Sequence, residues 1–183
     1  VTETLQLDPR TSYAIAKRFN EIYLAAFFEE KGIHSISLRF FNVYGKNQDN
    51  RMVVPRFFEQ ALLNKPMTVF GNGKQTRDFT YITDCIQASI ELAIHVKGCE
   101  IFNIANEEEV TIKDLALLIK KIVNSKSDIS FIKAPRKRYD FEVERRCGNC
   151  NKLEKAIGFK PNTPLEKGLS EIYDALLIKK ARK

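Results

Sequence analysis

Between residues 10 and 31, apolar side chains recur every three or four positions, at Ala14, Ile15, Phe19, Ile22, Tyr23, Ala26 and Phe27. That spacing predicts a helix. Thr11 or Ser12 can cap its start with a hydroxyl, and Gly32 can stop it. The pattern then changes to an alternating and finally continuous apolar run from Ser35 to Phe41, which predicts a strand. It breaks into a loop at Asn42-Val-Tyr-Gly45. Helical spacing returns over Val53 to Leu63. A short strand, Met67 to Phe70, is closed by the turn residues Gly71-Asn-Gly73. Phe79 to Ile82 reads as another short strand, and 83 to 96 as an amphipathic helix with Asp84 near its start. Ile101 to Ile104 is strand-like. Thr111 caps a helix running through Val123, with Asp114 in the third position of a capping box. A strand at Ile129 to Ile132, a charged connector over 133 to 150, a short helix over 151 to 157 and a last helix over 165 to 180 complete the chain.

Alternation of helices with strands predicts an α/β protein. Only two strands, 35 to 41 and 101 to 104, read as buried and parallel. Two strands do not make a doubly wound sheet, so the expectation is that a large part of the sheet lies outside these residues. Ile36, Leu38, Phe40, Ile101 and Ile104 would then be left exposed.

With 44% apolar residues in 183 positions, a sizeable core is available. No apolar run approaches the roughly 20 residues that span a bilayer, and the opening Val-Thr-Glu-Thr-Leu resembles no secretory signal. A cytoplasmic protein with no membrane partner is expected. The net charge of +7 is concentrated at Arg136, Lys137, Arg138, Arg145 and Arg146 and in the tail Lys179, Lys180, Arg182 and Lys183. The tail suits the carboxyl end of a helix, while the first cluster could meet a small polyanion such as a diphosphate. No basic stripe interleaved with aromatics is present, and no nucleic-acid partner is expected. Cys147-Gly-Asn-Cys150 is a lone C-x-x-C without the further ligands a zinc site needs.

Three groups of residues carry candidate chemistry. Tyr13 and Lys17 stand four apart on the predicted helix, so both lie on one side. A lysine ammonium there favours the phenolate and suits Tyr13 to act as a general base on a hydroxyl. In Leu38-Arg-Phe-Phe-Asn42-Val-Tyr-Gly45 a strand runs straight into a polar loop. Phe41 and Asn42 are thereby placed beyond its carboxyl end, where α/β sheets bind ligands; the alternative for Phe41 is a plain core residue. In Val69-Phe-Gly-Asn-Gly73-Lys-Gln-Thr-Arg77-Asp-Phe-Thr-Tyr81 the glycines admit close approach of a flat ligand and Arg77 can grip a diphosphate. A solvated turn with a surface arginine explains the same residues.

Taken in order, Pro9-x-x-x-Tyr13-x-x-x-Lys17, Leu-Arg-Phe-Phe-Asn-Val-Tyr-Gly, Val-Pro-Arg-Phe, Val-Phe-Gly-Asn-Gly-x-Gln-Thr-Arg-Asp-Phe-Thr-Tyr-Ile-x-Asp and Phe-Asn-Ile-Ala resemble the extended short-chain dehydrogenase/reductase family. The resemblance is greatest to nucleotide-sugar epimerases, dehydratases and UDP-glucuronate decarboxylases, and it covers nearly the whole chain. It implies the C-terminal part of a Rossmann-type doubly wound parallel sheet, from 1 to 52 and 83 to 110. A small α/β nucleotide-sugar-binding subdomain, from 53 to 82 and 111 to 183, would accompany it. It implies NAD as cofactor, a nucleotide-sugar substrate such as a UDP-sugar, oxidised transiently at C4, and a homodimer formed through the Tyr13 helix. Tyr13 would be the acid/base, Lys17 would hold the nicotinamide ribose, and Phe41 would border the nicotinamide. Asn42 would contact the substrate, Val54 and Phe70 would flank the nucleobase, and Arg77 would bind the diphosphate. Asp140 would meet the nucleotide ribose, and Lys137 stands three residues before it where relatives carry an arginine.

A second departure is larger. The family's Gly-rich phosphate turn and its catalytic Ser or Thr precede the tyrosine, and only twelve residues precede Tyr13 here. The chain alone is therefore expected to bind NAD poorly and to be inactive, its N-terminal half lying in the same or another polypeptide. Epimerase, dehydratase and decarboxylase outcomes all remain open. The alternative reading is a non-catalytic nucleotide-sugar-binding or interaction module.

Overall fold

The computed structural model describes residues 1–133 and 144–181. Helix α1 (Ser12–Lys31) starts where the Thr11 hydroxyl accepts the N–H of Ala14, and it ends at Gly32, whose φ of 65° is left-handed. Strand β1 (Ser35–Phe40) follows and pairs in parallel with β4 (Cys99–Ile104), with Leu38 opposite Phe102 and Arg39 opposite Asn103. Between them run α2 (Val53–Leu62), β2 (Met67–Phe70), β3 (Thr76–Asp78) and α3 (Ile82–His95). After β4 come β5 (Glu109–Thr111), α4 (Ile112–Val123), β6 (Ile129–Ile132), β7 (Arg145–Arg146), α5 (Asn151–Ile157) and α6 (Leu165–Ala181).

Side chains alternate across β1 and β4. Ile36, Leu38, Phe102 and Ile104 face α3 and α5, where Ala88, Leu92, Cys150 and Leu153 complete a small core. The opposite side carries Ser37, Arg39 and Asn103 and meets α1 through Glu21. A larger core joins Val54, Phe57, Phe58 and Ala61 of α2 to Val69 of β2, to Leu115, Ala116 and Ile119 of α4, and to Leu169 and Ile172 of α6. Thr111 caps α4 by accepting the N–H of Asp114, and the Asp114 carboxylate in turn accepts the Thr111 hydroxyl.

Four expectations are corrected by the structure. Phe79 to Ile82 is not a strand. It makes only a bridge between Tyr44 and Tyr81 before α3 begins at Ile82, and the strand lies just upstream at Thr76–Asp78, where β5 and β7 flank it. Nor are β1 and β4 the only parallel strands, since β2 pairs in parallel with β6 and β3 with β7. Strand β5, three residues long, was not anticipated. Ile104, expected to be exposed, is fully buried because α3 and α5 cover its side of the sheet, whereas Phe40, opposite it in register, is 47% exposed. The outer edge of β1 has no strand partner among the described residues. No helix among them is long and apolar enough to cross a membrane.

Candidate functional site

Beyond the carboxyl ends of β1 and β4 the chain turns sharply at Asn42, whose φ of 31° lies in a region costly for a residue with a Cβ. The turn is held in place. The Asn42 amide donates to the carbonyl of Asp78 at 3.0 Å, and the Thr80 hydroxyl donates to the carbonyl of Phe41 at 2.9 Å. Asn42 thereby forms one wall of a cleft of about 170 Å³, completed by Arg51, Met52, Val53 and Arg56 from the start of α2, by Phe70, Gln75, Arg77 and Phe79, and by Ile112.

Polar and aromatic groups in this cleft are ordered by neighbours. The Arg56 guanidinium sits 5.1 Å from the centre of the Phe70 ring, a cation–π contact. The Gln75 amide donates to the Phe70 carbonyl at 3.0 Å and Arg77 donates to the Thr76 carbonyl at 2.7 Å. Arg51 is tied to Asp49 at 2.6 Å, which holds that carboxyl down to about 2. A cleft with guanidinium groups, an aromatic ring and amides suits an anionic ligand that has a flat portion.

Beneath the cleft, next in sequence to Arg77, lies Asp78, with no exposed surface. Its carboxylate accepts the backbone N–H groups of Asn106 at 2.9 Å, Glu107 at 3.2 Å and Gly148 at 3.0 Å. Burial pushes this carboxyl up from the ordinary range, against the pull of the three donors. Asp78 so ties β3 to the end of β4 and to the segment leading into α5. Gly148 has no room for a side chain, since a Cβ there would stand 2.3 Å from Ala105 and 3.2 Å from the Phe41 ring.

Of the residues singled out in the sequence, the structure brings Asn42, Phe70 and Arg77 together in one cleft. Val54 is buried in the larger core at 2% exposure, and its neighbour Val53 lines the cleft instead. Phe41 is half-buried against the small core. Tyr13, 72% exposed, and Lys17, also exposed, stand one turn apart on α1, the lysine nitrogen 5.6 Å from the tyrosine ring centre. Neither lines the cleft. Lys137 and Asp140 lie outside the described residues. Sequence reasoning missed Arg51, Arg56, Gln75 and Phe79 as lining. Arg56 and Phe79 stood inside recognised blocks, but their direction depends on how α2 and β3 are seated. Asp78 carried one signal, an acidic residue between an arginine and a core phenylalanine.

Cys150 is buried, accepts the N–H of Ala105 at 3.1 Å and has its thiol pushed up to about 12 by burial. Among the described residues no cluster of His, Cys, Asp and Glu is arranged to hold a metal.

Parallel strands flanked by helices, with an anion-suited cleft at their carboxyl ends, define an α/β protein of the Rossmann type. Comparison with known proteins agrees. Residues 1–105 match the model of the NAD dependent epimerase/dehydratase family, and the chain belongs to that family. It is 35% identical to a UDP-N-acetyl-alpha-D-glucosaminuronate decarboxylase of Bacillus cytotoxicus over 168 residues, 88% of this chain and 52% of that protein. The crystal structure of UDP-glucose 4-epimerase from Thermotoga maritima, with UDP-glucose, superposes with a TM-score of 0.90 at 29% identity, over 100% of this chain and 58% of that one. UDP-glucuronic acid 4-epimerase from Bacillus cereus, solved with UDP-glucuronic acid and NAD, gives a TM-score of 0.87 at 31% identity over 98% and 56%. The chain thus spans about half the length of these relatives. NAD is the cofactor of the family.

Proposed function

We propose that the chain is the sugar-nucleotide-binding and acid/base portion of an enzyme that oxidises and re-reduces a UDP-sugar at C4. The convergence of Asn42, Phe70 and Arg77 in one cleft supports this reading most directly. The three come from two motifs, Asn42 from one and Phe70 and Arg77 from the other, and the family resemblance implies a substrate contact for each. The relatives, UDP-sugar epimerases and decarboxylases, supply the substrate class.

In this reading Arg77 holds the diphosphate with its planar fork of donors, Phe70 offers its ring to the nucleobase and Asn42 donates to the sugar or its phosphate. Val54, behind Val53, backs the nucleobase wall. Lys137 and Asp140 are assigned to the phosphate and the nucleotide ribose. The residues also fit the nicotinamide-ribose end of NAD. Tyr13 and Lys17 are both open to a ligand, lie one helical turn apart and have ring and ammonium in contact, while Phe41 follows directly on β1. Lys17 would donate to the ribose hydroxyls and favour the Tyr13 phenolate, and Tyr13 would take the proton of the sugar 4-hydroxyl and later return it. NAD supplies the hydride acceptor. No G-x-x-G-x-x-G turn for its pyrophosphate occurs in the 183 residues. The division into a cofactor part (1–52 and 83–110) and a sugar-nucleotide part (53–82 and 111–183) belongs to the same proposal, as does pairing of two copies through α1.

Calorimetric titration of the chain with UDP and UDP-glucose tests the binding half. Saturable binding is expected in the absence of NAD, weakened about tenfold or more by Arg77→Ala, since charge-assisted contacts to phosphate contribute about 1.5–3 kcal/mol each. Absence of binding at millimolar nucleotide sugar would overturn it. Tyr13→Phe tests the acid/base half in the protein as its cell makes it. A fall in turnover of about 10²- to 10⁴-fold is expected with UDP-sugar affinity retained.

A further inference from the structure

Helix α1 presents Tyr13 and Lys17, yet little apolar contact fixes which way they point. No residue of α1 is fully buried. Its half-buried residues are Ala14, Arg18, Glu21, Leu24, Phe27 and Phe28. The side of the sheet beneath it is largely polar. From β1 it carries Ser35, Ser37 and Arg39, and from β4, by register, Cys99, Ile101 and Asn103. Apolar burial is non-directional, and here it is also scant, so it leaves the rotation of the helix about its own axis poorly determined.

One contact does determine it. The Arg39 guanidinium clasps the Glu21 carboxylate through two parallel bonds of 2.7 and 2.8 Å, and its third nitrogen donates to the carbonyl of Glu3 at 3.1 Å. Arg18 adds a 2.9 Å bond to the same carboxylate from within the helix. The two side chains of the clasp are 18% and 11% exposed, so solvent competes only weakly. A two-bond guanidinium–carboxylate pair is planar and directional, unlike an apolar contact. Tyr13, Lys17 and Glu21 follow one another at four-residue steps, each step advancing about 40° around the helix. Glu21 is the point where this line dips into the sheet, and Lys17 and Tyr13 rise from it towards solvent, one and two turns away.

We propose that Arg39 and Glu21 are positioning residues of the reaction: their clasp sets the rotation of α1 and thereby the direction in which Tyr13 and Lys17 are offered to substrate and nicotinamide ribose. This inference rests on the acid/base role given to Tyr13 above. Its test therefore includes a reading of Tyr13 that does not depend on turnover.

The experiment places 3-fluorotyrosine at position 13 and records its fluorine resonance in the parent chain, in Glu21→Gln, Arg39→Met and Arg39→Lys, and in the reversed pair Glu21→Arg with Arg39→Glu. Far-ultraviolet circular dichroism confirms that each is folded at the temperature used. The single parent resonance is expected to shift or split in Glu21→Gln and Arg39→Met and to return towards the parent position in the reversed pair. Arg39→Lys, which keeps the charge but not the two-bond geometry, is expected to fall between. In the protein as its cell makes it, Arg39→Met should lower kcat about ten- to a hundredfold, as expected for misplacement on the ångström scale, with KM for the nucleotide sugar within twofold. A resonance that does not move in Glu21→Gln and Arg39→Met overturns the inference, and so does a kcat that tracks only the folded fraction. If Arg39→Met does not fold, Arg39→Lys and the reversed pair decide by the same two readings. Should Tyr13→Phe keep full turnover, the acid/base role fails by itself, while the fluorine spectra still report whether the clasp orients the helix.

Discussion

Asp78 accepts three N–H groups from two stretches of chain while fully buried, and an amide in its place has one oxygen where three donors converge. Asp78→Asn turns an NH2 group towards at least one backbone donor, leaving it unpaired away from water. Unpaired buried donors cost about 1–3 kcal/mol each, and a loss of about 2–4 kcal/mol is expected even though a buried charge is removed. Urea titration of parent and variant would show it as a lower midpoint at unchanged slope, and an equal or higher midpoint would refute it. The sequence announces Asp78 only as part of a motif. Its partners lie 28, 29 and 70 residues away, beyond any pattern a local reading can use. Arg77 and Asn42 were legible because their motifs have a characteristic order. Val54 was misdirected for a simpler reason: Val53 and Val54 are adjacent on α2, and the helix had to be seated before either could be assigned to cleft or core.

At the scale of elements, α1, β2, α4 and α5 were readable almost to the residue, since each is bounded by its own caps or turns: Thr11 and Gly32, Gly71, Thr111, Gly158. Strands β3, β5 and β7 were not. Three residues or fewer carry no periodicity, and these strands exist because they lie beside one another. Contact between elements also decides the role of Gly168 in α6. Glycine inside a helix ordinarily concedes about 1 kcal/mol to alanine. Here an added Cβ would stand 2.3 Å from the hydroxyl of buried Tyr44 and 2.9 Å from the Tyr81 ring. Gly168→Ala is expected to lower stability by about 1–3 kcal/mol, read as a fall in melting temperature, where a helix-propensity argument forecasts a rise. Helix α1 offers a different contact. Phe19, Tyr23 and Phe27 stack along the helix at 6.0 and 5.9 Å between ring centres, with Phe19 and Tyr23 more than half exposed and Phe27 half-buried. If two copies pair through this ladder, Phe19→Asp with Tyr23→Asp should turn a dimer into a monomer in sedimentation velocity, and an unchanged sedimentation coefficient would remove α1 from the interface.

At the scale of the whole molecule, the α/β class followed from alternation of element types, whereas the three separate small sheets among the described residues did not. Each sheet is assembled from strands far apart in the chain, and local pattern says nothing about which distant strands meet. The larger core gathers around α2, α4 and α6 and the smaller around β4, α3 and α5. Asp78 spans the seam, since it sits on β3 beside the first core and binds the ends of segments that belong to the second. That placement has a consequence in time. Contacts spanning 28 to 70 residues form only after the intervening chain has been closed into loops, so the bonds of Asp78 should be absent from the transition state for folding. Asp78→Asn would then leave the refolding rate nearly unchanged and appear almost wholly as faster unfolding. The native chain would owe much of its lifetime, as distinct from its equilibrium stability, to one carboxylate that closes last and opens first; stopped-flow refolding slowed in proportion to the lost stability would show the opposite order.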